Sequence, residues 1–278
     1  MLEKESGFVN SRGQHIFTRS WMPETGLHGL IFLLHGLGEH SGRYSHLATV
    51  LTNAGFGVLA FDHHGHGKSA GRRADIQKFD HFVDDARQFI EEQSQALPGL
   101  PRVILGHSMG GVIALKCALQ FHAYFAAMVV TAPAIKVGGD ISPFLQKIAG
   151  LVATIAPRLP VEKIDTSFIS RDPEIVRQYE TDPLIFHGKV CARTGARLLA
   201  AGAEVAARLH KIELPFWVGH GTADRLIDPQ SAQWLHERAR STDKTLRLYD
   251  GLAHEILNEP EKHAILQEIV AWLEKRIV

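Results

Sequence analysis

The sequence predicts an α/β fold, a mostly parallel central sheet flanked by helices, with a helical cap inserted after the sixth strand. Three observations carry this. Short β-branched runs alternate with longer segments of helical periodicity across short connections. Most of those runs are continuously apolar rather than alternating, which suits parallel strands covered on both faces. The rhythm then lapses between about Val137 and Leu209 before it resumes.

The N-terminal stretch Gly7–Trp21, with Arg12-Gly13 in its middle, reads as an antiparallel edge hairpin. Strands follow at Leu30–Leu34, Gly57–Phe61, Arg102–Leu105, Ala127–Thr131, Pro215–Val218 and Thr245–Tyr249, and only the last lacks a continuous apolar run. Between them, Ser45–Ala54, Phe79–Leu97, Gly110–Phe121, Pro229–Ala239 and Glu261–Arg276 have helical spacing. Asp228-Pro229 and Glu259-Pro260 mark two of the helix starts. The interval 137–209 shows helical patches broken by Pro and Gly and no convincing strand. It reads as a cap over one end of the sheet, the alternative being helices that extend the core. Residues 1–136 and 210–278 then form the main domain. Ile141–Ala156, with Lys147 its only charge, is unusually apolar for a surface helix.

Composition excludes several classes. The 278 residues carry 30 Lys+Arg against 30 Asp+Glu, so no basic field is present for nucleic acid. Cys117 and Cys191 cannot build a disulfide framework, and a reducing compartment fits them. The opening MLEKESGFVN lacks an apolar h-region, and no apolar run reaches the ~18 residues of a membrane span. The expectation is a soluble cytoplasmic protein. Histidine is the outlier at 17 residues, which raises a metal reading. His63-His64-Gly65-His66 lacks both helix-face spacing and Cys or Asp partners, and successive histidines in a Gly-rich turn are expected to point apart. No metal site is expected.

Gly106-His107-Ser108-Met109-Gly110-Gly111 follows a strand and opens a helix. G-x-S-x-G alone is weakly specific, but this context gives it a mechanical reason. The serine sits on a tight strand-to-helix turn, and small residues two before and two after avoid collision. The turn lifts Oγ above the carboxyl ends of the strands, and the helix N-terminus offers free N–H groups. A serine nucleophile needs a base, and the base needs an orienting acid. Asp224 and His254 each directly follow a strand, in the chain order Ser, Asp, His of α/β-hydrolases. Asp228 is the rival acid, but its place before Pro229 reads as a helix cap. Donors for the developing oxyanion are the N–H of Met109 and that of Leu37, in the loop His35-Gly36-Leu37-Gly38. His35 reads as a structural residue tightening that loop.

These words resemble the monoacylglycerol lipases of the α/β-hydrolase superfamily over nearly the whole chain. The matching strings are His35-Gly36-Leu37-Gly38-Glu39-His40-Ser41-Gly42-Arg43-Tyr44, Phe61-Asp62-His63-His64-Gly65-His66-Gly67-Lys68-Ser69, Gly106–Gly111, Tyr179-Glu180-Thr181-Asp182-Pro183-Leu184 and Gly221-Thr222-Ala223-Asp224-Arg225-Leu226. The resemblance implies the α/β-hydrolase fold, a triad of Ser108, Asp224 and His254, and oxyanion donors at Leu37 and Met109. It also implies that Glu39, Arg43, His107 and Tyr179 hold the glycerol, and that the cap is a lid taking the acyl chain and touching membranes. Two departures stand out. Animal members carry a second histidine three residues after the triad histidine, where this chain has Leu257, and alanine in place of Leu37.

The implied reaction is ester hydrolysis through an acyl-enzyme, with a monoacylglycerol as substrate and no metal or organic cofactor. A lysophospholipase or a broad carboxylesterase would share every reacting residue. An acyltransferase would use the same acyl-enzyme, whereas a dehalogenase would need Asp in place of Ser108. The non-enzyme alternative is a ligand-binding module on a hydrolase scaffold. Cys117 reads as a buried thiol, and Cys191 as a cap thiol that lies near the pocket or is simply structural.

Overall fold

A computed structural model of the chain describes residues 1–137, 150 and 152–277. Strands β1 (Leu2–Val9), β2 (His15–Met22), β3 (Gly29–Leu34), β4 (Phe56–Phe61), β5 (Arg102–His107), β6 (Ala127–Thr131), β9 (Phe216–Gly221) and β10 (Lys244–Tyr249) form one sheet in the order β1-β2-β4-β3-β5-β6-β9-β10. The hairpin β1–β2 joins β4 antiparallel, and every later pair is parallel. The expected fold class is therefore the observed one.

The unbroken apolar runs follow from this layering. In β3, Leu30, Phe32 and Leu34 enter the core on one face, while Ile31 and Leu33 enter a separate core on the other. Helices α2 (Asp80–Ala96) and α3 (Met109–Phe121) cover the first face. Helix α1 (Ser45–Asn53) and the helix Lys262–Ile277 cover the second. The exposed edge strand β1 is guarded by charge, with Glu3 and Glu5 paired to Arg19.

Predicted and observed elements agree to within a few residues at most ends. The hairpin starts earlier than expected, at Leu2, and β9 runs on to Gly221, which brings His220 inside a fully buried strand. One expectation is corrected in the cap. The interval 137–209 contains two short strands, β7 (Pro160–Glu162) and β8 (Val190–Cys191), paired antiparallel. It also holds the helices Pro173–Thr181 and Ala192–Arg208. Most of the expected apolar helix Ile141–Ala156 lies outside the described residues; residues 152–155 are helical, with Ile155 exposed. No helix among the described residues is long and apolar enough to cross a membrane.

Candidate active site

Ser108 stands between β5 and α3 with φ 54° and ψ −115°, a conformation that costs energy for any side chain. Its flanking glycines are sterically required. A Cβ at Gly106 would meet the Gly110 carbonyl oxygen at 2.3 Å, and one at Gly110 would meet the Leu34 carbonyl oxygen at 2.0 Å. The Ser108 N–H donates to Thr131 O and its carbonyl accepts from Ala134 N–H, so β6 and its loop hold the turn.

The loops after β9 and β10 are laced together by backbone bonds from Thr222 N–H to Tyr249 O and from Ala223 N–H to Leu252 O. This brings Asp224 to His254, whose Nδ1 donates to Asp224 Oδ2 at 2.7 Å. The other carboxylate oxygen accepts from the N–H groups of Leu226 (2.8 Å) and Ile227 (3.0 Å). Burial alone would push the Asp224 carboxyl up, but His254 and His220 reverse this and hold it far below the usual range. Burial pushes the His254 imidazole down, while the charge and hydrogen bond of Asp224 more than compensate, so it titrates above its ordinary value. Asp228 is not in this cluster. Its carboxylate accepts from Gln230 N–H and pairs with Lys136, as a helix-capping acid does.

The loop that follows β3, residues 35–38, presses on the serine. A Cβ on Gly36 would lie 3.4 Å from Ser108 Cβ. Gly36 N–H is taken by Glu39 Oε1 at 2.6 Å, whereas the N–H groups of Leu37 and Met109 meet no acceptor among the described residues. Both stay free for a ligand oxygen. His35 and His63 lock this loop to the one after β4: His63 N–H donates to His35 Nε2 (2.9 Å), and His63 Nε2 to the His35 carbonyl (3.1 Å). The successive pair does point apart, His63 inward to His35 and His64 outward to Gln14, but His66 turns back inward. Gly65 and Gly67, both at positive φ, fold the turn back so that His63 and His66 lie within 6.1 Å of each other, both beside His35. Among the described residues, no group of three or more His, Cys, Asp or Glu side chains is arranged to hold a metal ion.

Ser108, His254, Leu37, Glu39, His107 and Tyr179 share one cavity of about 340 Å³, closed on its other sides largely by apolar residues such as Ile169, Leu198 and Leu226. Arg43, expected among the polar wall residues, does not line it. Its guanidinium is consumed by a bidentate pair with Glu255 (2.7 Å to each oxygen) and a bond to Glu39 (2.7 Å), under the Tyr179 ring. Glu255 is on the wall instead, and was not singled out in the sequence; a carboxylate inside Leu252-Ala253-His254-Glu255-Ile256-Leu257 is the signal that would have found it. Its carboxyl would be raised by burial, yet Arg43 holds it low. Leu257 sits in the core packed against the second face of the sheet, away from the cavity. His107 donates or accepts at Thr131 Oγ1 (2.9 Å) and lies 4.8 Å from the His254 ring; burial, with His254 beside it, brings it down to about 4, so it stays neutral.

Both cysteines are free. Burial raises the Cys117 thiol. Cys191 does not reach the cavity, because its sulfur turns to Thr194 Oγ1 (3.3 Å) and Asp75. His220 is the other residue the sequence reading passed over. Its Nε2 lies 2.9 Å from Asp224 Oδ2.

A serine on a strained strand–helix turn, two free backbone donors and a His–Asp pair at the carboxyl rim of this sheet define a serine hydrolase of the α/β-hydrolase superfamily. The family model described as serine aminopeptidase, S33, matches residues 26–261. Among curated proteins, a monoacylglycerol lipase of Mycolicibacterium smegmatis is 38% identical, covering 97% of this chain and 96% of its own. The human monoglyceride lipase is 39% identical over 96% of this chain and 89% of its own. The crystal structure of a Paleococcus ferrophilus monoacylglycerol lipase aligns with TM-score 0.82 at 29% identity, covering 99% of this chain and all of that one. The chain belongs to the monoacylglycerol lipase family.

Proposed function

We propose that the protein hydrolyses monoacylglycerols to fatty acid and glycerol, with Ser108 as nucleophile, His254 as general base and Asp224 as the orienting acid. Ser108 Oγ attacks the ester carbonyl while His254 Nε2 takes its proton and returns it to the glycerol oxygen as the C–O bond breaks. Water, deprotonated by His254, then attacks the acyl-enzyme and releases the fatty acid. The N–H groups of Leu37 and Met109 stabilise the oxyanion in both steps. Asp224 keeps the proton on Nδ1 and stabilises the imidazolium. Glu39, His107, Tyr179 and Glu255 face the glycerol, and Arg43 holds the two carboxylates in place from behind.

One observation carries the reading: a serine and a His–Asp pair open onto a single cavity with a polar wall beside the serine and a mainly apolar remainder, with Glu162, Lys163, Asp165 and Arg225 also on its lining, a distribution that suits an uncharged glycerol head on an acyl chain. The named relatives support the same substrate class. Steady-state kinetics on mono-, di- and triacylglycerols and lysophosphatidylcholine is the test. Fastest turnover of 2-oleoylglycerol, abolished by Ser108→Ala in a folded protein, is expected, and a strong preference for lysophosphatidylcholine would sink the assignment. The cap serves as the lid, and the protein works in the cytoplasm against a lipid surface. Exposed Ile155, Leu159 and Val161 support that contact, Val161 lying at the cavity itself. Flotation with phosphatidylcholine vesicles should be weakened by Ile155→Asp with Leu159→Asp; no binding by the parent protein would remove the contact.

A further inference from the structure

We propose that His220 is a positioning residue for the Asp224–His254 pair, a role that rests on the serine-hydrolase reading above. Its ring lies wholly buried at the end of β9, with Nε2 2.9 Å from Asp224 Oδ2 and 3.2 Å from the Ile227 carbonyl. The same Oδ2 receives His254 Nδ1 at 2.7 Å. An ionised carboxylate only accepts, so both histidines donate, and His220 presents its Nε2–H. Its Nδ1 has no partner. A buried nitrogen left bare is unfavourable, so the favourable contacts of this ring are those of its Nε2–H with Asp224 and the Ile227 carbonyl.

The donated bond does two things. With the Leu226 and Ile227 N–H groups on Oδ1, it fixes the carboxylate at every side, so Oδ2 cannot swing away when His254 moves its proton. It also shares the negative charge of Oδ2, which moderates how strongly Asp224 raises the basicity of His254. The other groups facing His254 are the His107 ring, Glu255 and Glu39, with Arg43 between the two carboxylates. Asp228 is the further charge near His220.

The test compares wild type with His220→Leu, His220→Asn and His220→Gln, using p-nitrophenyl butyrate, circular dichroism and pH profiles of kcat/KM. Leucine removes the donor, asparagine is too short to reach Oδ2, and glutamine restores an N–H at similar reach. Leucine and asparagine should move the acid limb to higher pH by roughly half to one unit and lower kcat about tenfold or more with little change in KM. Glutamine should return the limb to the wild-type position. Should the leucine variant fail to fold, the asparagine–glutamine pair decides. A folded asparagine or leucine variant with the wild-type limb and kcat would overturn the proposal, as would a glutamine variant as impaired as leucine. Cleavage of p-nitrophenyl butyrate without cleavage of 2-oleoylglycerol would sink the substrate assignment alone, while full turnover by Ser108→Ala would overturn both.

Discussion

Alanine at position 110 should disable the enzyme while leaving every proposed reacting group in the sequence. The added Cβ would stand 2.0 Å from the Leu34 carbonyl oxygen and 2.6 Å from that of His35, where ordinary contact begins at 3.4 Å. Both obstacles are backbone, so α3 and the end of β3 must separate by about 1.4 Å. Ser108 opens α3, and the loop that follows β3 carries the Leu37 N–H. The separation therefore falls between the proposed nucleophile and one proposed oxyanion donor. Misplacement of this size costs about 100-fold in rate, and overpacking of a tight contact costs about 1–3 kcal/mol. At 278 residues that stability loss is about 2–5 °C in Tm. Hydrolysis of p-nitrophenyl butyrate, with differential scanning fluorimetry, reads both. Gly111→Ala is the internal control, because its Cβ meets Pro133 at 3.0 Å and a small shift accommodates it. If Gly110→Ala kept kcat within about threefold and left Tm unchanged, the steric account of this turn would be wrong.

Asp224→Asn should lower kcat by about 10³–10⁴-fold, and the acid limb of the remaining activity should move to lower pH, since burial of His254 would lose its opposing charge. A limb that stayed in place would contradict the pairing. Acid should destabilise the fold through His35, His63 and His66, which burial brings to about 4, well below the ordinary value, and to about 3 respectively. Their folded values lie below the unfolded one, so this stability is complete above about pH 6.5 and is lost as pH falls, about 2 kcal/mol each for His35 and His66 at pH 5, with His63 acting in the same direction. Calorimetric melting from pH 7.5 to 5 checks this, and a flat Tm over that range would refute it. Gly195→Ala should stabilise by about 0.5–1 kcal/mol: its Cβ meets nothing within 4 Å inside the helix Ala192–Arg208. A lower melting temperature would count against that reading.

The central strands were legible because burial on both faces writes itself as an unbroken apolar run. Trp217 faces one core while Phe216 and Val218 face the other, so no polar residue interrupts β9 until His220. The short strands β7 and β8 were not legible, since two or three residues carry no period and become strands only through each other. Ser108, Asp224 and His254 could be picked out because each stands in a recognisable loop directly after a strand. Arg43 could not be assigned correctly, because the loop words show its neighbours but not that Glu255, 212 positions away, would capture its guanidinium. The direction of His66 depended likewise on Gly65 and Gly67, whose positive φ turns a local string into an inward cluster. The sequence did contain a signal for His220. A polar side chain ending a fully buried strand must find a partner, and Asp224 was four residues away.

The cap touches both halves of the reaction centre through its backbone. Phe186 N–H donates to the Gly38 carbonyl, at the oxyanion loop, while Phe168 O and Ile169 O accept from the N–H groups of His254 and Glu255. Between these anchors the cap works as a brace across the mouth. Any displacement of the cap would cost one bond to the loop that carries Leu37 and two to the loop that carries His254. The position of the cap and the shape of these two loops are therefore mechanically tied, each held by the other's backbone.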